Sequence, residues 1–502
     1  MNHKLVYQID IREFFFRHKS KNSGIKNLLD LPSEFFDEIK SLGVEFLWLL
    51  GIYEPSQASR EISISMTELH KKYSTSLLDW KEDDVIGSPY AITSYKISKE
   101  FGGEEVYKKF REKIKKNYKL KTILDFVPNH LAIDSPVVQK HPEFFIHATE
   151  DKKNKCPEDY IKFNIMGKEY IFAHGREPYS PVWKDTLQLD YRSKSVREFM
   201  IKELLKLSKK CDGVRCDMSM LLLSDIFFDN WKDYPLPKDY VPAAQEFWYD
   251  AISKVKKENP DFVFIAEVYW HRENDLLELG FDFVYDKLIY ELLIDNRVDL
   301  INEYIKKNFS YQKNRFLFLE NHDEQRSAHI FSDEKLKAAA TLIYTLPSMK
   351  LIYDGQLEGK EFHHAIQLRR LQNEEVNSEL KNFYKKLFNA IKNSSIPKAY
   401  FKLLKPVAAW EGNPGFFNFI IYLYEDEKFR KDLVVINLSP YQSQCKVKVE
   451  SFDLIGKKFL IKDRLSDEEY IRDGNEMFYN GLYLDVKPYQ SQIFEFIKVE
   501  QE

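Results

Sequence analysis

The sequence predicts an α/β fold: a closed (β/α)8 TIM barrel, a small subdomain inserted after its third strand, and a C-terminal all-β sandwich domain. From residue 1 to about residue 390 of the 502, short apolar β-rich runs alternate with amphipathic helical stretches. This rhythm is typical of parallel βαβ units whose sheet is covered on both faces. One long polar segment interrupts the rhythm, and after about Ile396 the helical pattern gives way to closely spaced strands.

About eight apolar runs have the spacing of barrel strands. The first four are LVYQID, EFLWLLGIY, TILDFV and GVRCDM, and the last four are FVFIAEVYW, FDFVYDK, RFLFLENHD and KLIYDG. Amphipathic stretches such as SEFFDEIKSLG and SVREFMIKELLKLSKK lie between them. Eight alternations match a (β/α)8 barrel, so we assign residues 1–130 and 191–395 to the barrel.

Two segments depart from this rhythm. Residues 131–190 are polar, rich in proline and aromatic residues, and have no clear period. Because this length is too great for an ordinary βα loop, we predict an inserted subdomain beside the third strand. Residues 396–502 contain runs such as FFNFIIYLY and DLVVINL between turn residues, which predicts an antiparallel β domain.

Composition and charge exclude several classes of partner. Lys and Arg total 75 against 79 Asp and Glu, a net charge of -4, which provides no basic field for nucleic acid. The four cysteines are scattered without CxxC pairs, so neither a disulfide framework nor a zinc site is expected. Asp10 and Arg12 interrupt the apolar N-terminal run, which a signal peptide would not tolerate, and no run approaches a membrane span. We expect a cytoplasmic protein with no nucleic-acid or membrane partner.

A charge pair lies inside the apolar fourth strand, in the stretch CDGVRCDMSM. Residues two apart on a strand point to the same side, so Arg215 and Asp217 project together toward the barrel mouth. An opposite charge within about 4 to 6 Å typically lowers a carboxyl pKa by about 1 to 3 units. We therefore expect Asp217 to be ionised, as a carboxylate nucleophile must be. A buried ion pair that only ties two strands is the alternative.

Other strand ends carry further polar residues. Glu267 ends the fifth strand among apolar and aromatic neighbours, where a desolvated carboxyl group can hold a proton for donation. The seventh strand leads into His322 and Asp323, and the third contains Asp125 and leads into His130. Each group alone is a weak signal. Together they place carboxylates and imidazoles at the one rim where barrel enzymes build their active sites.

The four motifs DFVPNH, GVRCDMSM, IAEVYW and ENHD resemble the four sequence regions of the alpha-amylase family, glycoside hydrolase family 13. They occur in the family's order, with spacing suited to strands three, four, five and seven. GSPYAITSYKISKEFGG resembles the family's Gly-x-Tyr loop after the second strand, and DTLQLDYRSKSVR resembles its fifth region. The resemblance covers residues 1 to about 390.

The resemblance implies a retaining double displacement, for which the two catalytic carboxyl groups lie about 5 to 5.5 Å apart. Asp217 would be the nucleophile, Glu267 the general acid and base, and Asp323 the third acid, gripping the 2- and 3-hydroxyls of the sugar. The implied substrate-binding residues are Tyr90 as a stacking floor, His130 and His322 as hydrogen-bonding partners, and Arg215 as the residue that fixes the nucleophile.

The chain also departs from the family pattern. Many amylases have Lys and His three and four positions after the nucleophile, where this chain has Met220 and Leu221, which would form an apolar wall near the leaving group. Gln188 replaces the family's calcium-binding Asp. Asn129 could still bind a structural calcium, but a hard cation needs more carboxylate than the sequence offers. We expect no essential metal or other cofactor.

Other residues near strand ends are candidates for sugar binding. Tyr269 and Trp270, just past Glu267, are the best candidates for aromatic platforms. His363 and His364 follow the eighth strand, where we predict solvated loop residues. The 12 histidines show no HExxH or similar metal-ligand spacing.

Three functions are compatible with the sequence. The first is a retaining hydrolase of α-glucosidic bonds in an α-glucan, a maltooligosaccharide or a disaccharide. The second is a transglycosylase, isomerase or phosphorylase of the same family, in which a sugar hydroxyl or phosphate replaces water. The third is a non-catalytic sugar-binding or scaffold protein. Scaffold proteins of this kind typically lose catalytic acids, and all three acids are present here, so catalysis is favoured and hydrolysis is placed ahead of transfer.

Overall fold

The structure is a computed structural model that describes residues 3–242, 246–307, 312–466 and 468–499. Eight parallel strands close into a barrel in the order β1-β8-β7-β6-β5-β4-β3-β2, which confirms the predicted fold class. The barrel strands are β1 (Lys4–Asp10), β2 (Phe46–Leu50), β3 (Lys121–Phe126), β4 (Gly213–Cys216), β5 (Val263–Ala266), β6 (Phe283–Tyr285), β7 (Arg315–Leu317) and β8 (Met349–Tyr353).

The barrel strands are short and apolar because both of their faces are covered. All five residues of β2 and all four of β4 are buried. The register pairs Asp125 of β3 with Arg215 of β4 and Cys216 of β4 with Ala266 of β5. Asp217 and Glu267 therefore leave adjacent strands at the same level of the barrel rim.

Helices cover the outside of the barrel and its rim. In Gly103–Tyr118 the buried Tyr107, Phe110 and Ile114 recur at intervals of three and four residues, which forms one apolar stripe. Among the described residues, none of the helices combines the length and apolar character that crossing a bilayer requires. The α-helices outside the insertion are Ile11–Lys21, Ser33–Ser41, Gln57–Ser65, Thr67–Ser76, Gly103–Tyr118, Lys194–Leu207, Ser224–Trp231, Phe247–Glu258, Glu273–Glu278, Lys287–Ile294, Val298–Lys307, Ser327–Ile330, Asp333–Thr345 and Ser378–Lys392.

An inserted subdomain follows β3, as predicted. His130–Ala132 pairs antiparallel with Thr186–Gln188, and Tyr160–Ile165 forms a hairpin with Lys168–Ala173. The short helices of this segment are Pro136–Lys140, Pro142–Phe144, Glu150–Lys155 and Pro157–Asp159. The limits of the subdomain at 131 and 190, and the start of the C-terminal domain at 396, stay predictions.

Antiparallel sheets form the C-terminal part of the chain. One sheet has the strand order Tyr400–Leu404, Phe419–Glu425, Lys431–Asn437, Ser491–Lys498, Lys458–Asp463 and Glu469–Asp473, and the other Pro406–Ala408, Ser443–Val447 and Leu482–Val486. Along Phe419–Glu425 the residues alternate between two cores: Ile421 packs between the sheets, while Tyr422 joins the core of the barrel. This period of two joins the sandwich to the barrel.

The four cysteines are all free thiols. Cys156 in the inserted subdomain is exposed, whereas Cys211, Cys216 and Cys445 are buried. Burial raises the pKa of both Cys211 and Cys445 to about 12. The buried thiols are therefore protonated and unreactive at neutral pH.

Candidate active site

A pocket of about 410 Å³ opens at the C-terminal ends of the barrel strands. Five of the seven predicted site residues line it together: Tyr90, His130, Asp217, Glu267 and Asp323. The other two, Arg215 and His322, are buried directly behind these side chains. The rim of the barrel thus brings the predicted residues into one place.

Arg215 is fully buried and forms ion pairs with three carboxyl groups. Its Nη1 lies 2.7 Å from Asp217 Oδ1 and 3.6 Å from Asp125 Oδ1, and its Nη2 lies 2.9 Å from Glu267 Oε2. Because the guanidinium is a rigid planar fork, it fixes the spacing between Asp217 and Glu267.

Glu267 is also held by hydrogen bonds to both of its oxygens. The backbone N–H of Met218 donates to Oε2 at 2.6 Å, and the Tyr269 hydroxyl donates to Oε1 at 3.0 Å. Met218 adopts a left-handed backbone with φ 44°, and Trp270, just beyond, has φ 61°. Such conformations cost energy in residues other than glycine, and they cluster at sites where geometry matters.

His322 forms the other side of the site together with Asp323. Gln8 Nε2 donates to its Nδ1 at 2.8 Å, and its Nε2 lies 2.5 Å from the Tyr90 hydroxyl and 3.1 Å from Asp323 Oδ2. Burial lowers the pKa of His322 well below its usual range, so the ring is neutral. With Nδ1 as acceptor, the single proton sits on Nε2, which points toward Tyr90 and Asp323.

Burial dominates the protonation of Asp217 and Asp125. Burial raises the pKa of Asp217 well above its usual value, more than the nearby Arg215 guanidinium lowers it. The expectation that Arg215 holds this pKa low is therefore wrong, because one guanidinium is shared among three carboxyl groups. Burial likewise raises the pKa of Asp125 to about 7, although Arg215 and the hydrogen bond from Trp48 Nε1 oppose the change.

The residues at the family's calcium position do not fit a calcium ion. Asn129 Nδ2 donates to Gln188 Oε1 at 3.1 Å, and Gln188 Nε2 donates to Asn129 Oδ1 at 3.0 Å. The two amides satisfy each other, and no carboxylate of the described residues bonds to either of them. Within the described ranges, no group of three or more His, Cys, Asp or Glu side chains has the arrangement of a metal site.

Two predictions about neighbouring residues are wrong. Met220 and Leu221 are buried in the hydrophobic core and do not line the pocket, and of this stretch Met218 is the apolar residue that does. His364 is 3% exposed and His363 is half-buried beside the backbone of His322 and Asp323, so neither is a solvated loop residue. Of the two suggested aromatic platforms, Tyr269 lines the pocket.

The sequence missed one whole wall of the pocket. Residues 57–77, which we call the cap, contain the helices Gln57–Ser65 and Thr67–Ser76. The cap lies over the barrel mouth and contributes Ile62, Ser63, Met66, Leu69 and Lys72 to its lining. The inserted subdomain adds Glu177 and Trp183. The interval from Leu50 to Lys121 between β2 and β3 is long enough to have signalled an extra element there.

Comparisons with known proteins agree with this architecture. A sequence model described as "Alpha amylase, catalytic domain" matches residues 20–434. Alpha-amylase 2 of Dictyoglomus thermophilum is 24% identical over 454 residues, which cover 86% of this chain and 67% of that protein. The alpha-1,4-glucan:maltose-1-phosphate maltosyltransferase of Picrophilus torridus is 26% identical over 333 residues, covering 63% of this chain and 43% of that one. The chain thus spans less than half of the maltosyltransferase.

Solved structures share the fold over the whole chain. The maltogenic alpha-amylase AmyB of Thermotoga neapolitana superposes with a TM-score of 0.68 at 18% identity, covering 99% of both chains. The alpha-amylase of Lactobacillus plantarum gives a TM-score of 0.66 at 20% identity, again over 99% of both chains. The alpha-amylase of Geobacillus thermoleovorans, solved with acarbose, gives 0.67 at 17% identity over 99% of this chain and 98% of that one.

Proposed function

The chain belongs to the alpha-amylase family, and from this premise we propose that it is a retaining glycoside hydrolase that cleaves α-glucosidic bonds by double displacement. Its substrate would be an α-glucan, a maltooligosaccharide or a disaccharide. The observation that carries the proposal is the contact of one buried guanidinium with both Asp217 and Glu267. That arrangement is compatible with the short separation of about 5 to 5.5 Å between the carboxyl groups of retaining enzymes.

In the first half-reaction, a carboxylate oxygen of Asp217 forms a bond to the anomeric carbon. The bond from that carbon to the glycosidic oxygen breaks, and the proton of Glu267 passes to the departing oxygen. Burial raises the pKa of both Asp217 and Asp125, and the ionised form of Asp217 that attacks is the form paired with Arg215 Nη1. We infer that Glu267 delivers the proton to the leaving oxygen, because Glu267 stands on the leaving-group side in the family's mechanism.

In the second half-reaction, water attacks the anomeric carbon and Glu267 takes its proton, which releases the sugar with its original configuration. Asp323 would grip the ring hydroxyls, while His322 behind it would hold Asp323 and Tyr90 in place through Nε2, and His130 would contribute a second polar contact. Tyr90 would lie under the ring. Its own ring stacks on His322 with centroids 5.5 Å apart, which fixes its position.

Transfer is the second candidate. The same covalent intermediate can be resolved by a sugar hydroxyl or a phosphate, and one relative of this chain is a maltosyltransferase. A non-catalytic sugar-binding or scaffold role is disfavoured, because Asp217, Glu267 and Asp323 all face one pocket.

A test of the proposal uses an aryl α-glucoside and maltooligosaccharides with wild type, Asp217→Ala and Glu267→Ala. We expect each variant to lose at least about 10³-fold in kcat, whereas Asp225→Asn, an exposed control paired with Arg272, keeps wild-type activity. With azide and the aryl glucoside, Asp217→Ala should give the β-glycosyl azide and Glu267→Ala the α-glycosyl azide.

If the wild type and the variants are equally inactive on every α-glucoside, the proposed hydrolase function is wrong and a scaffold role is favoured. Accumulation of longer oligosaccharides by the wild type would replace hydrolysis by transfer. The same azide product from both variants would reject the assigned roles of nucleophile and acid.

A further inference from the structure

The cap is a fixed wall with a hydrophobic core of its own. Tyr73 and Leu77 of the cap pack in a buried cluster with Ala365 and Leu368, which follow β8. Leu78, just after the cap, donates its backbone N–H to Gln372 Oε1 at 3.0 Å. The cap is therefore packed onto the segment after β8 instead of standing free over the barrel.

Polar contacts fix the cap on two further sides. Ser59 donates to Asp185 Oδ2 of the inserted subdomain at 2.6 Å. On the other side Arg370, after β8, forms ion pairs with Asp84 at 2.6 Å and with Asp79 at 3.2 Å, which anchors the segment that directly follows the cap. Bonds to both the subdomain and the β8 segment hold the wall in one position.

The wall stands on the Asp323 side of the pocket, because the cap packs on the segment after β8, and β8 pairs with β7, the strand that leads into Asp323. The positive charge of Lys72 acts on Asp323, on His322 and on His363. Glu267 is held from the other direction, by Met218 and Tyr269 after β4 and β5. In the proposed reaction the leaving group lies beyond Glu267, toward the reducing end of the chain. The cap therefore lies on the side that sugars toward the non-reducing end would occupy.

Two polar groups at this side of the pocket have no hydrogen-bond partner among the described residues. The Lys72 side chain is exposed to the pocket, and its ammonium forms no hydrogen bond or ion pair with the described residues. Gln367 lines the same pocket with an Oε1 that has no hydrogen-bond partner in the described part of the chain. An ammonium offers three donors and a carboxamide both donors and an acceptor, which suits the vicinal hydroxyls of a sugar.

We propose that the cap closes the non-reducing side of the pocket and that Lys72 and Gln367 bind the hydroxyls of the terminal sugar, so that substrate is cleaved from chain ends. This inference rests on the proposed function. It adds a chain-end subsite built from this protein's own cap, and it excludes cleavage in the interior of a long chain.

The first experiment compares maltoheptaose derivatives with a free and a 4,6-O-ethylidene-blocked non-reducing end, with products followed by chromatography. We expect the free substrate to release short products from the start and the blocked one to react at least about 100-fold more slowly. Equal rates on both overturn the inference while leaving the proposed hydrolase intact. Inactivity on both and on every aryl α-glucoside overturns the proposed function and the inference with it.

The second experiment tests Lys72 itself. Lys72→Met should raise KM for maltotriose about tenfold, the effect of losing one charge-assisted hydrogen bond. Lys71→Met is the matched control, because Lys71 is exposed on the same helix and does not line the pocket. We expect KM within twofold of wild type for that control, with unchanged Tm for both variants. An unchanged KM in Lys72→Met overturns the assigned role.

Discussion

Arg215 determines much of the chemistry at the scale of single residues. The sequence pattern Arg-x-Asp shows one local ion pair, and it predicts a low pKa for Asp217. The structure brings Asp125 and Glu267 to the same guanidinium from neighbouring strands. One cation then faces three carboxyl groups out of contact with bulk water, so desolvation outweighs attraction and the direction of the pKa change is reversed.

Asp125 should make stability fall as the pH rises. Burial raises its pKa to about 7. Its contribution to the free energy of unfolding is therefore complete below the pKa of the unfolded chain, about 4, and is lost as the pH rises through about 7. Asp125→Asn should remove that dependence, which is on the order of a few kcal/mol. Thermal unfolding of both proteins between pH 4 and pH 8 measures it.

Asp212→Asn is the opposing control for that series. At Asp212 burial is outweighed by the hydrogen bonds from Arg111, and its pKa is lowered. Its stabilising effect is therefore present above the unfolded value and is lost as pH falls through the lowered one. Parallel curves for wild type and Asp125→Asn across the whole range would contradict the prediction.

At the scale of elements, the junction between β3 and the inserted subdomain depends on two amides. The strands His130–Ala132 and Thr186–Gln188 pair side by side, and the Asn129–Gln188 amides bond across the same junction. The sequence indicated that a carboxylate had been lost at residue 188. The sequence could not show that the Gln188 side chain forms hydrogen bonds with Asn129 and so links the two segments.

We predict that a chelator leaves this junction intact. EDTA or added Ca²⁺ should shift Tm by less than about 1 °C, because amides already bonded to each other offer a hard cation little. Gln188→Ala should lower the free energy of unfolding by about 1 to 3 kcal/mol, since the buried Asn129 amide loses its partner. Gln57→Ala, at an exposed position, is the control. A Tm that falls in EDTA and returns with Ca²⁺ would contradict the prediction.

At the scale of the whole molecule, barrel and sandwich share one continuous apolar contact. Tyr422 projects from the C-terminal sheet into the barrel core, and its hydroxyl bonds to Thr345. Tyr424 donates to the Thr345 carbonyl at 2.5 Å. The C-terminal sheet therefore covers a face of the helix Asp333–Thr345 that would otherwise be exposed to water.

The two parts should unfold together. In urea, fluorescence and far-UV circular dichroism should give coincident transitions, and Tyr422→Ala should destabilise the whole chain by about 3 to 5 kcal/mol. Tyr483→Ala, on the exposed face of the smaller sheet, should cost less than about 1 kcal/mol. Two separate transitions in the wild type would show that the shared core does not couple the parts.

The sequence predicted what depends on local periodicity. All eight barrel strands and the meeting of Asp217, Glu267 and Asp323 follow from apolar runs that end at one rim. The cap was missed because its packing partners, such as Ala365 and Leu368, lie almost 300 residues later in the chain. Its two short helices carry a weak apolar pattern of their own, so only the tertiary contacts make them a wall.

The one exposed cysteine, Cys156, offers a natural attachment site for a spectroscopic label. A thiol-specific dye at neutral pH should attach at Cys156 and leave the three enclosed thiols unlabelled. Because Cys156 lies in the inserted subdomain, one fluorophore on the natural sequence would report how that subdomain responds when sugar enters. No cysteine would have to be added or removed to record it.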